Sequence, residues 1–195
     1  MVELNQTYWS DRYSSNQTGW DIGEANQYLI DIVQESYSKE AKILVPGAGN
    51  AHEVEALYKL GYTNVYALDW AKEPLIALKK RLPEIPDSQL LHESFFDHEG
   101  RYDVILEQTF FCALDPSLRK DYVNKTYDLL NDNGVVTGLL FDVKDLPGPP
   151  FGGSIWEYSR LFSQRFEKSL FHRSYDSIKP REGRECFFKV EKFRI

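Results

Sequence analysis

Between residues 43 and 141, short apolar runs alternate with segments of helical period, and the first junction is a glycine turn, "ILVPGAGNAHEVEAL" (Ile43–Leu57). An apolar run of strand length enters Pro-Gly-Ala-Gly and leaves into a helical pattern. Strands that alternate with helices pair in parallel and carry helices on both faces. Residues 41–47 read as a first strand, 50–60 as a helix, 64–70 as a second strand, and 73–81 as a helix closed by Pro83 and Pro86. A short third strand lies within "SQLLHESFF", and a fourth spans Tyr102–Gln108. Pro116 opens a helix to about Leu130, which "NDNG" (Asn131–Gly134) is expected to end, and a fifth strand spans Val135–Phe141. "LPGPPFGG" (Leu146–Gly153) reads as a loop, Ile155–Ser163 as a helix, and "FEKSLFHRS" and "ECFFKVEKF" as a closing hairpin pair. The first 40 residues stand outside the alternation; they hold Tyr8, Trp9, Tyr13 and Trp20 around "SSNQTGWDIG", then a helix over about Ala25–Tyr37.

At 195 residues the chain is long enough for one domain with a substantial core. A net charge of -7 gives it no general attraction for a phosphate backbone, so nucleic acid is not an expected partner. The basic run Lys79-Lys80-Arg81 reads as the solvated C-terminal end of a helix, where cations are favoured. Cys112 and Cys186 sit among aromatics and read as buried thiols, not as a disulfide or a metal pair. His52, His92, His98 and His172 lack metal-ligand spacing and read as surface or core histidines; no metal is expected. The start has no signal-peptide pattern and no apolar run reaches membrane-spanning length, so a cytoplasmic location without membrane attachment is expected. A monomer or weak homodimer is the expected state.

Gly47 and Gly49 allow a close backbone approach, and the helix that follows offers unpaired N–H groups to a carboxylate or phosphate. A dinucleotide fingerprint would carry a third glycine at position 52, where this chain has His52. Asp69 ends the second strand, twenty residues after Gly49, where an acid can accept both ribose hydroxyls of an adenosine. A carboxylate there is expected to carry little packing. Dinucleotide and S-adenosylmethionine sites share these features. Three others favour the sulfonium cofactor: the aromatic N-terminal segment, Glu107-Gln108 at the end of the fourth strand, and Glu93-Ser94 with Phe95 after the third. Each residue also has a plain structural reading: Trp9 and Trp20 as anchors, Phe95 as core, Pro149-Pro150-Phe151 as a turn.

The segments "YWSDRYSSNQTGWDIG", "LVPGAGNAHEVEAL", "VYALDWA", "YDVILEQTFFCALDPSLRKDY" and "GPPFGGSIWEY" resemble the thiopurine S-methyltransferase-like superfamily of class I S-adenosylmethionine-dependent methyltransferases. The resemblance implies a Rossmann-like α/β fold: a mostly parallel seven-stranded sheet, helices on both faces and a C-terminal antiparallel hairpin. It implies residues 1–40 as an aromatic lid segment of the same domain and 41–195 as the cofactor-binding core. It also implies S-adenosyl-L-methionine as cofactor, with Trp9, Tyr13, Trp20, Gly47, Gly49, Asp69, Trp70, Ser94, Phe95 and Gln108 around it. Trp20, Phe111 and Phe151 would face the acceptor, and Gln108 and Tyr13 would act by orientation and enclosure, without a general base. The implied reaction moves a methyl group to a small soft nucleophile such as a thiol, thiocyanate or halide.

Several rivals remain open on the residues. A metal-dependent O-methyltransferase would use acids such as Glu107 and Asp142. An NAD-dependent oxidoreductase would want the third glycine. A nucleic-acid methyltransferase would want Pro-Pro-aromatic after the fourth strand, whereas here it follows the fifth. A cofactor-binding domain without catalysis would keep the same turn and acid.

Overall fold

A computed structural model describes residues 3–193. Seven strands, β1 (Ile43–Pro46), β2 (Val65–Asp69), β3 (Leu90–His92), β4 (Tyr102–Gln108), β5 (Leu130–Phe141), β6 (Lys168–Arg173) and β7 (Glu185–Glu191), form one sheet in the order β3-β2-β1-β4-β5-β7-β6. The chain divides into two compact units, Met1–His98 and Glu99–Ile195.

The first unit opens with α1 (Gln6–Ser14), capped by Asn5, whose side chain accepts the N–H of Tyr8. Sequence periodicity had offered no helix here, because α1 buries no residue fully and so carries no apolar stripe. Then come α2 (Gln27–Ser36), β1 (Ile43–Pro46), α3 (His52–Lys59), β2 (Val65–Asp69), α4 (Lys72–Arg81) and β3 (Leu90–His92). β1, β2 and β3 pair in parallel, with Ile43 beside Val65 and Asp69 beside His92. All four residues of β1 are buried, as a parallel strand covered on both faces requires. Lys79, Lys80 and Arg81 occupy the last turn of α4, as expected.

The second unit holds β4 (Tyr102–Gln108), α5 (Arg119–Leu129), β5 (Leu130–Phe141), α6 (Ile155–Phe162), β6 (Lys168–Arg173) and β7 (Glu185–Glu191). β4 and β5 are parallel; β7 runs antiparallel to β5 and to β6. The "NDNG" segment does not end α5 but lies inside β5 as a bulge. Tyr102 pairs with Leu130, and Val104, two residues on, pairs with Val135, five residues on. Asn133 takes a left-handed φ of 62°, and its N–H donates to Lys192 O at 2.8 Å. Turn-forming residues serve a strand irregularity as well as a helix end. An aromatic core fills this unit: Phe111 meets Tyr122, Tyr158 and Phe162 at centroid distances of 5.0, 5.4 and 6.1 Å. No helix among the described residues is long and apolar enough to cross a membrane.

Candidate active site

The glycine turn follows β1 directly. Gly47, Gly49 and Ala51 take left-handed φ values of 56°, 53° and 55°. Alternating left-handed residues coil the backbone tightly, and two of the three are glycines because a Cβ is disfavoured there. At Gly49 a Cβ would also stand 2.9 Å from the Tyr13 hydroxyl. The turn is sewn to β2: Ala48 N–H donates to Leu68 O at 2.9 Å, and Gly49 N–H donates to Asp69 Oδ2 at 2.8 Å. Asp69 Oδ1 accepts the N–H of Ala71 at 2.7 Å.

Asp69 is only 6% exposed. Burial pushes its carboxyl up to about 6, against the pull of the Ala71 and Gly49 N–H groups and of His92. The expectation that this carboxylate carries little packing is therefore corrected: it fastens the turn to the strand. The two oxygens of a carboxylate can together accept about four hydrogen bonds, and the Trp70 N–H joins those of Gly49 and Ala71 on this one, which leaves a single acceptor position.

The N-terminal aromatics gather on this turn. Trp20 stands edge-on to Trp9 at 5.6 Å and to Tyr13 at 5.8 Å. Trp20 also makes a side-chain hydrogen bond to Tyr13. Burial first, and the charge of Asp69 second, raise the Tyr13 phenol far above its ordinary range, so it stays neutral. Trp70 follows Asp69 and is 39% exposed. Ser94 Oγ accepts the N–H of Phe96 at 3.2 Å, and Phe95 is buried edge-on to Phe96 at 5.4 Å.

In the second unit Gln108 ends β4, and its Nε2 is buried without a hydrogen-bond partner. Thr109 after it takes a φ of 62°, an uncommon conformation for a β-branched residue. Glu107 fixes that turn. Its Oε1 accepts the N–H groups of Phe110 and Phe111, each at 2.9 Å, and its Oε2 accepts the Tyr122 hydroxyl at 2.8 Å. Burial pushes Glu107 up to about 7 against these donors. Phe151 N–H donates to Cys112 O at 2.6 Å, and its ring packs where a Cβ on Gly148 would fall. Phe111 is fully buried in the aromatic core. Cys112 and Cys186 are free and buried.

The comparisons agree with this geometry. The Thiopurine S-methyltransferase (TPMT) family model matches residues 4–192. The chain belongs to the thiopurine S-methyltransferase family. "Probable thiol methyltransferase 2" of Arabidopsis thaliana is 28% identical over 192 residues, covering 95% of this chain and 84% of that protein. "Thiocyanate methyltransferase 1" of Brassica oleracea is 26% identical over 184 residues, covering 91% of this chain and 81% of that one. Among solved structures, the Burkholderia thailandensis 1,6-didemethyltoxoflavin-N1-methyltransferase superposes with a TM-score of 0.74 at 18% identity, over 97% of this chain and 87% of its own. That likeness shows the fold. This member of the thiopurine S-methyltransferase family is an S-adenosylmethionine-dependent methyltransferase acting on a small molecule.

The residues present fit that cofactor. A buried carboxylate with an acceptor position to spare closes β2, and before α3 the backbone runs left-handed at Gly47 and Gly49, where at Gly49 a Cβ would crowd the Tyr13 hydroxyl. Glu107 and Asp142, the acids weighed as metal ligands, are otherwise engaged: Glu107 as above, and Asp142 Oδ1 with the Ile155 N–H at 3.2 Å. Among the described residues, no three His, Cys, Asp or Glu side chains are grouped to hold a metal.

One part of this neighbourhood escaped sequence reasoning. Asp21 Oδ1 accepts from Gly23 N–H at 2.8 Å and from His52 Nε2 at 2.9 Å, while Oδ2 accepts from the Asn50 amide. His52 thus stands in the third-glycine position as the partner of an acid 31 residues earlier. The only signal was that Asp21 follows Trp20 directly.

Proposed function

We propose that the enzyme transfers the methyl group to a small, soft acceptor that arrives already anionic, a thiolate or thiocyanate, with halides in the same class. The observation that carries this reading is the state of the acids ending β2 and β4. Asp69 holds the Gly49 and Ala71 N–H groups and Glu107 holds those of Phe110 and Phe111 with the Tyr122 hydroxyl, so each acid fastens a turn, and we assign neither to proton removal. A soft anion needs no general base. The names of the relatives, a thiol and a thiocyanate methyltransferase, support the same class.

Bound S-adenosylmethionine supplies an electrophilic methyl on a positively charged sulfur. When a cation and an anion react, charge is lost toward the transition state, and water opposes this by solvating the separated charges. Excluding water and aligning the groups can therefore supply much of the rate. Trp9, Tyr13 and Trp20, within residues 1–40, are proposed to exclude water at the glycine turn of the 41–195 core. Asp69 is proposed to hold the ribose, Gly47 and Gly49 to admit the methionine part, and Trp70, Ser94 and Phe95 to flank the adenine. Gln108 is proposed to orient through its unpartnered amide, and Phe151 to give the acceptor an apolar contact. Phe111, fully buried, serves packing and is not retained as an acceptor contact. We place the enzyme in the cytoplasm as a monomer or weak homodimer; two buried free thiols suit a reducing compartment.

The test is the pH–rate profile with two acceptors at saturating cofactor. Without an enzymic base, the rate with an alkyl thiol should climb tenfold per pH unit up to the thiol's own pKa. The rate with thiocyanate, ionised throughout, should stay flat from pH 7 to 9. A thiol profile that levels near neutrality would reveal a base and contradict the reading.

A further inference from the structure

Asp21 lies between the aromatic segment and the glycine turn, and it engages both. It follows Trp20 in the chain, and Trp20 in turn packs on Trp9 and Tyr13. Its two oxygens take three donors: the Gly23 N–H from its own loop, and the Asn50 amide and His52 Nε2 from the entry to α3. Burial raises the Asp21 carboxyl, but Gly23, Asn50 and His52 together outweigh it and hold it below the ordinary carboxylate range. The receiving side is itself braced. The Arg81 guanidinium donates to Asn50 O and, through Nε, to Glu55 Oε2 at 2.7 Å, so α3 and α4 share the anchor. Asp21 by itself thus makes two side-chain hydrogen bonds to the entry of α3. The segment has further ties: the Asn26 N–H donates to Glu53 Oε1 at 2.9 Å, Gln6 Nε2 meets His92 Nε2 at 3.0 Å, and the Tyr13 hydroxyl lies over Gly49.

We propose that Asp21 is a clasp, closed on Asn50 and His52, that fixes the Trp9/Tyr13/Trp20 segment over the glycine turn and so sets how long the methyl donor stays bound. Asp21 and His52 are positioning residues: they act through the aromatics, not on the reacting atoms. The proposal rests on the functional reading above. It also accounts for position 52. A glycine there would permit a close backbone approach but would leave the clasp without its histidine donor.

The chain carries a built-in reporter. Arg12 is the sole Lys or Arg in residues 1–38, so tryptic cleavage there reads release of the segment without any cofactor. Its guanidinium is held by the Tyr8 hydroxyl at 2.9 Å and by Gln17 at 3.2 Å. The full chain would be compared as parent, Asp21→Ala, Asp21→Asn, His52→Ala and His52→Gln. Two rates are read: nicking at Arg12, and dissociation of S-adenosylhomocysteine by stopped-flow displacement. Asp21→Ala should raise both at least tenfold. His52→Gln, whose amide can donate in place of Nε2, should behave like the parent, while His52→Ala falls between. Should Asp21→Ala be cut throughout the chain, Asp21→Asn decides, since it keeps the size and one acceptor oxygen. Equal nicking of parent and Asp21 variants would overturn the clasp. Faster nicking with unchanged dissociation would overturn its part in retention. A parent that fails to bind S-adenosylhomocysteine would overturn the functional reading, while the nicking rates still decide the clasp.

Discussion

Acidification should expel the methyl donor through one carboxyl group. Asp69 is raised to about 6 in the free protein, chiefly by burial. The proposed ribose hydrogen bond needs its ionised form, because a hydroxyl donates better to a carboxylate than to a neutral acid. If only ionised Asp69 binds, the dissociation constant scales as one plus the ratio of protonated to ionised carboxyl. That factor is about 1.1 at pH 7 and about 11 at pH 5, close to 1.4 kcal/mol of lost binding. The free protein holds a proton that the complex gives up, so binding should release protons between about pH 5 and 6.5. The free protein's own stability moves the other way. A carboxyl raised from 3.8 contributes stability below pH 4 and loses it as pH rises through 6. Calorimetric titration with S-adenosylhomocysteine at pH 5, 6, 7 and 8, in buffers of different ionisation heat, measures affinity and proton release together. Asp69→Asn should bind more weakly at pH 7 and show no dependence between pH 5 and 7. An unchanged affinity from pH 5 to 7 in the parent would refute the reasoning and leave Asp69 as a clip for the turn only.

Other outcomes follow from the same geometry. Asp69→Ala strands two buried N–H groups, each worth about 1–3 kcal/mol, so chemical denaturation should show a clear stability loss as well as weaker cofactor binding. Gly49→Ala puts a Cβ 2.9 Å from the Tyr13 hydroxyl at a φ of 53°; cofactor affinity should fall at least tenfold, and an unchanged value would place Tyr13 elsewhere in solution. Phe111→Ala should cost about 3–5 kcal/mol of stability, as expected for a fully buried aromatic, and parent-like denaturant unfolding would contradict that packing. Activity should survive EDTA; loss on chelation, restored by magnesium, would return Glu107 and Asp142 to the reaction.

The βα alternation was legible because parallel strands buried on both faces leave unbroken apolar runs, and β1, β2 and β4 fall where those runs fall. The glycine turn and Asp69 were legible because their spacing reflects backbone geometry along adjacent strands. The α1 helix was not, since a helix without a fully buried residue leaves no periodic apolar stripe. The bulge in β5 was hidden because Asn-Asp-Asn-Gly suits a helix end and a strand irregularity equally. Asp21 and His52 were missed for a different reason: side chains that meet across 31 residues leave no local pattern in one sequence. The clip that Asp69 makes to Gly49 and Ala71 was equally invisible, because an acid that fastens a turn and an acid that awaits a ligand have the same letter.

The most direct measurement is methyl transfer itself. Purified protein is incubated with methyl-labelled S-adenosylmethionine and, separately, an alkyl thiol, thiocyanate, iodide, a phenol and a short oligonucleotide, and the labelled products are identified by mass. Label should pass to the thiol and to thiocyanate, with the phenol and oligonucleotide unlabelled. Label on the phenol in preference to the thiol, or cofactor binding without transfer to either sulfur acceptor, would contradict transfer to a soft anion.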